Sequence, residues 1–210
     1  MKAKRRTVEA EARTLARAIA RSQTQWTALW HASTPEAATQ AFLAVVKEQH
    51  RRNFELWHEE DKARAPDATD AQLAAVKRSI DRLNQQRNDL IEELDECIHG
   101  GLQSLRRCAT KGAPWNSETP GSIVDRLSIL SLKVFHMEEQ ASRRGAGPEH
   151  IRKARARLAV LRRQRRDLAR ALEELLAELF AGRKQMKLYR QFKMYNDPAM
   201  NPAIYGAGKA

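Results

Sequence analysis

The chain has 210 residues, with 38 Lys and Arg against 26 Asp and Glu, for a net charge of +12. That length suits one well-buried domain and is too short for two large ones. Few glycines and prolines, 6% aromatic and 30% charged residues, and abundant Ala, Leu, Arg and Glu exclude a sheet protein and favour long helices. No apolar run approaches the ~20 residues needed to cross a bilayer, and the basic start is not followed by an apolar stretch, so a soluble, cytoplasmic protein is expected. Cys97 and Cys108 lack His or Cys partners at zinc-finger spacing, which excludes a disulfide framework and a structural zinc site.

The first predicted helix runs from about 4 to 31. STPEAA (33–38) then supplies a Ser/Thr cap with Pro35 at the first helical position and opens a helix near 35–65. ARAPDATD (63–70) ends that helix and starts another near 70–107. ETPGS (118–122) opens a helix near 120–143, RRGAGPEH (143–150) turns the chain into one near 148–181, and Gly182 ends it. Apolar residues recur at helical spacing, as in Ile80, Leu83, Leu90 and Leu94 or Leu158, Leu161, Leu168 and Leu172.

A shift of 78 places lays Trp57-His58 on Phe135-His136 and LNQQRNDL on LRRQRRDL, with eleven identities in 43 positions over 56–98 against 134–176. The expected fold is all-α: an up-down-up-down four-helix bundle of two duplicated αα-hairpins (33–182), with an N-terminal helix (1–32) packing on its outside and a C-terminal tail (183–210). An approximate two-fold axis then predicts equivalent surroundings for Arg87 and Arg165. In the tail, Tyr189, Phe192 and Tyr195 recur every three residues among Lys187, Arg190 and Lys193. That spacing predicts a short helix whose aromatic ridge docks on the bundle or on a second subunit of a homo-oligomer, its basic flank closing over a polar layer.

Polar residues fall where a bundle needs leucine. In helix 35–65, Asn53, Trp57, Glu60 and Arg64 share a stripe with Leu56, and His58 and Asp61 pair one turn apart beside it. Asn84, Gln86, Arg87, Asn88 and Asp89 border the seam of helix 70–107. Asp125 and Lys133 precede His136 and Glu139 in the next helix, and Arg165 and Asp167 repeat Arg87 and Asp89 in the last. These residues form one layer near the turns and one near mid-bundle. Each mixes both signs of charge, so mutually paired networks that fix helix register are one reading. The other is a slot lined by Arg and Asn that suits a phosphate or sugar phosphate, with carboxylates able to hold Mg²⁺. A dinuclear metal centre of the ferritin type is disfavoured by depth: His58 lies ~12 Å from the hairpin turn and Asp89 ~28 Å, at 1.5 Å per residue.

The positive charge is concentrated in residues 141–193, which hold sixteen Lys and Arg against five Asp and Glu. The helix at 148–181 could grip the phosphates of RNA or DNA, but no aromatic stacking platform accompanies it, and a solvated arginine-rich face is the simpler reading.

The segments NFELWHEEDKAR, VKRSIDRLNQQRNDLIEELDE, GSIVDRLSILSLKVFHMEEQ and MKLYRQFKMYNDPAMNPAIYG together resemble the bacterial family called domain of unknown function 4254, over about 40–205. The resemblance implies a setting among glycosyltransferases of envelope polysaccharide and lipopolysaccharide assembly, and so a glycosyltransferase partner; it carries over no catalytic residues. A second comparison is to all-α nucleoside triphosphate pyrophosphohydrolases of the MazG type, which present Glu-x-x-Glu and Glu-x-x-Asp to Mg²⁺. Glu92 and Asp95 match the latter spacing, but LWHEEDKAR has no Glu-x-x-Glu. The leading expectation is a helical bundle that binds an anionic nucleotide-sugar or sugar-phosphate ligand, as an accessory to or enzyme of envelope glycan assembly. A Mg-dependent pyrophosphohydrolase and a nucleic-acid-binding protein are the alternatives.

Overall fold

The structure, a computed structural model, describes residues 2–32, 41–107, 109–192 and 199–201. Five helices follow in order: α1 Lys2–Ala32, α2 Ala41–Lys62, α3 Asp70–Ser104, α4 Pro120–Ser142 and α5 Pro148–Phe180. The fold is all-α. The sequence signals at their ends act locally as expected. Thr69 caps α3 in a reciprocal box with Gln72, Thr119 caps α4 ahead of Pro120, and Pro148 opens α5. Gly182, at φ 69°, ends α5 in the left-handed region that glycine tolerates best. The expected Pro35 start of the second helix lies outside the described residues.

The α2–α3 and α4–α5 hairpins make the most extensive contacts, α4 also meets α2 and α3, and α1 lies against α5, α4 and α2. Helix α1 is therefore part of the bundle and does not pack outside it. Ala12, Ala16 and Ile19 enter the main core with Leu94, Val124, Leu127, Leu172 and Leu176. These side chains are at most 2% exposed. A two-fold arrangement of the hairpins would match the α3–α4 contact with one between α5 and α2. That side is filled by α1, which touches both.

The main core occupies the end where α4 begins and α5 finishes. Close approach of α3 to the α4 N-terminus depends on Gly121. A Cβ there would lie 2.5 Å from the Ile91 carbonyl oxygen and 2.9 Å from Asp95 Oδ1. The buried Asp95 accepts a hydrogen bond of 2.7 Å from the Gly121 N–H, so a carboxylate meets the positive end of α4.

The tail differs from expectation. Residues 183–192 form no helix; they run beside the connection before α4. Gln185 N–H donates to the Pro114 carbonyl at 3.0 Å, and Asn116 N–H to the Gln185 carbonyl at 3.2 Å. Side chains alternate as in extended chain: Met186 and Leu188 pack on the main core, while Lys187 sits 4.4 Å over the Trp115 ring. Tyr189 and Phe192 are exposed and form no ridge, because the period is two and not three. Tyr195 lies outside the described residues. Arg190 ion-pairs with Glu92 and Glu96 of α3, so this stretch docks there and not over the polar cleft described below.

Candidate functional site

Following α4 from its N-terminus, apolar core gives way to Asp125, Ser128 and Ser131, all buried, and then to Phe135 and His136. The polar stretch is matched on α1 by Gln23 and Thr27 and on α2 by Gln49, His50 and Asn53, each at most 4% exposed. Buried polar groups call for hydrogen bonds, and most of these polar atoms find partners among their neighbours, the Gln23 and Gln49 Oε1 atoms excepted.

Asp125 is the centre. Its Oδ1 accepts from Gln49 Nε2 at 2.6 Å, Asn53 Nδ2 at 2.9 Å and Arg87 Nε at 2.7 Å, while Oδ2 accepts from Arg87 Nη2. The guanidinium thus meets the carboxylate through two parallel bonds. The bond to Asp125 holds the Arg87 guanidinium above its ordinary range.

From Asn53 the network has a direction. Asn53 Nδ2 donates to Ser128 Oγ at 2.9 Å, and Ser128 Oγ lies 2.7 Å from His50 Nδ1. On the far side, His50 Nε2 lies 3.0 Å from Thr27 Oγ1, whose only proton goes to the Gln23 carbonyl at 2.7 Å. Thr27 must therefore accept from His50, so the imidazole carries its proton on Nε2 and accepts from Ser128 on Nδ1. Burial, reinforced by the charge on Arg165, lowers the His50 pKa to about 3. A Ser–His pair beside an Asp resembles nucleophilic machinery. Here Ser128 and His50 are fully buried and the ring stays neutral near pH 7, so the group is a scaffold.

Beyond this network lies an aromatic cluster. Trp57 stacks on His136 with ring centres 4.6 Å apart and planes 10° apart. His31 stacks on Phe135 at 4.0 Å, and its Nε2 is 3.2 Å from His136 Nε2. His31 Nδ1 faces the Thr27 carbonyl and His136 Nδ1 faces the Glu139 carboxylate, and both of these partners only accept. His58 packs edge-on to Phe54 at 4.6 Å. Its pKa is lowered by burial and then by the charges of His31 and His136.

Network and cluster meet in a cleft of about 460 Å³ between α2 and α3, floored by Leu56, Ile129 and Leu132. Its polar lining is Asn53, Trp57, Glu60, Asp61, Arg64, Asn84 and Arg87. Part of the layer near the turns (Trp57, Glu60, Asp61 and Arg64) and part of the mid-bundle layer (Asn84 and Arg87) thus border one opening. Asn53 has both amide protons engaged, which leaves its Oδ1 to accept. Arg87 retains Nη1, while Arg64 donates to the Glu60 carbonyl and, at 3.0 Å, to Glu60 Oε2. Two carboxylates and two guanidinium groups nearly balance, so the cleft is polar and aromatic without being a cationic trap.

The other expected residues lie elsewhere. Asp125 stands behind the cleft as its anchor. His58, His136 and Glu139 belong to the aromatic cluster, and Lys133 is exposed on a neighbouring groove. Gln86 and Asn88 are half-buried outside the cleft lining, and Asp89 is exposed and accepts from Gln85 at 2.7 Å. Asp167 is exposed between α4 and α5. Arg165 differs from its expected counterpart Arg87: it reaches Ser131 Oγ at 3.0 Å, the Ala20 carbonyl and Thr24, all neutral, and burial lowers its pKa. Arg165 meets α1 at Ala20 and Thr24, which offer only neutral acceptors.

Of the pyrophosphohydrolase-like pair, Asp95 is engaged at Gly121 and Glu92 accepts from Arg190 and from Gln191 N–H. Among the described residues no three His, Cys, Asp or Glu are placed to hold a metal ion. On the basic face, a cavity of about 990 Å³ runs between α1 and α5. Several of its arginines are paired, as in Arg13–Glu173 at 2.8 Å and Arg170–Glu174 at 2.8 Å. Among the described residues no helix is long and apolar enough to cross a membrane.

Sequence reasoning missed Gln23, Thr27, His31, Gln49 and His50. Their signal was present: Ala12, Ala16, Ile19, Gln23, Thr27 and Trp30 continue one buried stripe of α1, so polar residues occupy core positions.

No curated protein and no solved structure matches the chain. A family model does match, over residues 43–188, which span the cleft, the Asp125 anchor and all of α3, α4 and α5. The chain belongs to the family described as protein of unknown function DUF4254.

Proposed function

We propose that the α2–α3 cleft binds a phosphorylated or nucleotide-linked sugar, and that the protein serves envelope glycan assembly as a binding partner or enzyme of that pathway. The observation that carries the reading is Trp57 beside side chains whose orientation is fixed from behind by Asp125. An aromatic wall suits the apolar face of a sugar ring. Asn53 Oδ1, Glu60 and Asp61 offer acceptors for hydroxyls, and Asn84 and Arg87 offer donors. Small-ligand sites combine an apolar wall with a few placed polar groups in this way. A single phosphate would be met by the free edge of Arg87 and not by a broad positive field.

Thermal melting against a panel of a hexose 1-phosphate, UDP-glucose, UDP, inorganic phosphate and Mg²⁺ tests this. A ligand at 100 times its Kd stabilises by ~2.7 kcal/mol. A sugar-bearing phosphate should raise the midpoint, and the rise should vanish in Trp57→Ala and Asn84→Ala. Lack of a shift with every compound, or a shift that survives both substitutions, refutes the proposal. Release of pyrophosphate from nucleoside triphosphates with Mg²⁺ would favour the hydrolase alternative. Oligonucleotide binding with a log–log salt slope near −0.9 per phosphate would favour the nucleic-acid alternative.

A further inference from the structure

A second concavity, of about 640 Å³, lies on the far side of Trp57 between α4 and α5. Its walls are Met137 from α4 and Ala156, Val160 and Leu161 from α5, and the Trp57–His136 stack closes one end. The size is that of a ligand site and the lining is almost wholly apolar. Val160 is 52% exposed in it, where an ordinary helix surface carries polar residues.

The charges beside this groove are distinctive. Lys133 on α4 and Arg157 on α5 line it, one from each wall. Neither makes an ion pair with a described residue, whereas their neighbours Arg152 and Arg162 pair with Glu149 and Glu138 at 2.8 Å. An apolar trough with a cation on each wall, neither of them ion-paired among the described residues, complements a molecule with one apolar chain and one acidic group. A second copy of the chain on a two-fold axis would bring like charges together instead.

We propose that this groove binds a single-chain acidic amphiphile, its alkyl tail along Met137, Ala156, Val160 and Leu161 and its headgroup on Lys133 and Arg157. The proposal is independent of the cleft reading, with Trp57 as the partition between the two sites. Met137 adapts to an irregular chain, as thioether side chains do at such surfaces.

The test is calorimetric titration of the full chain with octyl, decyl and dodecyl phosphate, each below its critical micelle concentration. Affinity should rise about fourfold per added methylene until the groove is filled, and alkyltrimethylammonium ions of equal length should bind at least tenfold more weakly. Val160→Glu, at an exposed position, should weaken binding at least tenfold with an unchanged melting midpoint. Lys133→Glu combined with Arg157→Glu should reverse the preference between head groups. Absence of monomer binding, affinity that ignores chain length, or affinity that survives Val160→Glu overturns the proposal. So does sedimentation with anionic vesicles without monomer binding, which marks a membrane-facing surface. Self-association lost in Val160→Glu, again without amphiphile binding, marks an interface between copies. Sugar-phosphate binding measured in the same Val160→Glu protein separates the two sites, since a loss confined to one leaves the other proposal standing.

Discussion

His50 offers the sharpest quantitative test of the buried network. Its pKa is about 3 in the fold against 6.5 for the free side chain, because burial disfavours the imidazolium and Arg165 adds like charge. Above pH 6.5 both states are neutral and the shift has no effect on stability. As pH falls below 6.5 the unfolded chain takes up a proton that the native state refuses, so stability is lost progressively down to about pH 3. Between pH 7 and pH 5 this single group should cost ~2 kcal/mol, which for a protein of this size lowers the melting midpoint by ~4–8 °C. The assay is urea denaturation at both pH values for the wild type and for His50→Gln. The quantity compared is the difference between the two pH-dependent losses, so a constant packing penalty cancels, as do the titrations of His58 and Asp95. The wild type should lose ~2 kcal/mol more than the variant. Equal losses would refute the argument, since they would mean that His50 accepts a proton in the native state.

Four further outcomes follow from the geometry. Arg87→Ala leaves the buried Asp125 with neutral donors only and should cost ~3–5 kcal/mol in denaturant titrations. Arg165→Ala removes a guanidinium that has only neutral acceptors and should cost ~1–2 kcal/mol, so equal effects would restore the symmetric picture. Gly121→Ala must push α4 from Ile91 and Asp95 and should destabilise by ~1–3 kcal/mol, seen as a lower urea midpoint. Asn84→Ala should abolish ligand-induced stabilisation without lowering the midpoint of the free protein, because Asn84 lines the cleft but lies outside the Asp125 network.

What could be read from the chain and what could not divide along a physical line. Helix positions were legible because caps and breakers act on their own neighbours: Thr69, Thr119, Pro148 and Gly182 do locally what their chemistry dictates. Most of the cleft was legible for a related reason. Asn53, Trp57, Glu60 and Arg64 share one helical stripe, so finding one side chain locates the others. The placement of α1 was harder to read, since its surface is basic and Ala-rich and the polar members of its apolar stripe, Gln23 and Thr27, show their role only through their partners. Misplacing α1 then hid His31 and His50 and suggested a false equivalence of Arg87 and Arg165. In the tail, a spacing of three among aromatics suggests a helix, whereas backbone pairing at Gln185 imposes extended chain.

The inner position of α1 also bears on how the protein is made. It is synthesised before the other four helices, yet Gln23 waits for Val124 and Arg13 waits for Glu173, 160 residues later. At 5–20 residues per second that interval lasts ~8–32 s. Until α4 emerges, the stripe of Ala12, Ala16, Ile19 and Trp30 has neither α4 nor α5 to cover it, while the α2–α3 hairpin, finished at Ser104, can already close on itself. The nascent chain therefore presents the apolar face of an amphipathic helix to whatever binds such surfaces at the ribosome, and release of a finished α5 is the event that withdraws it.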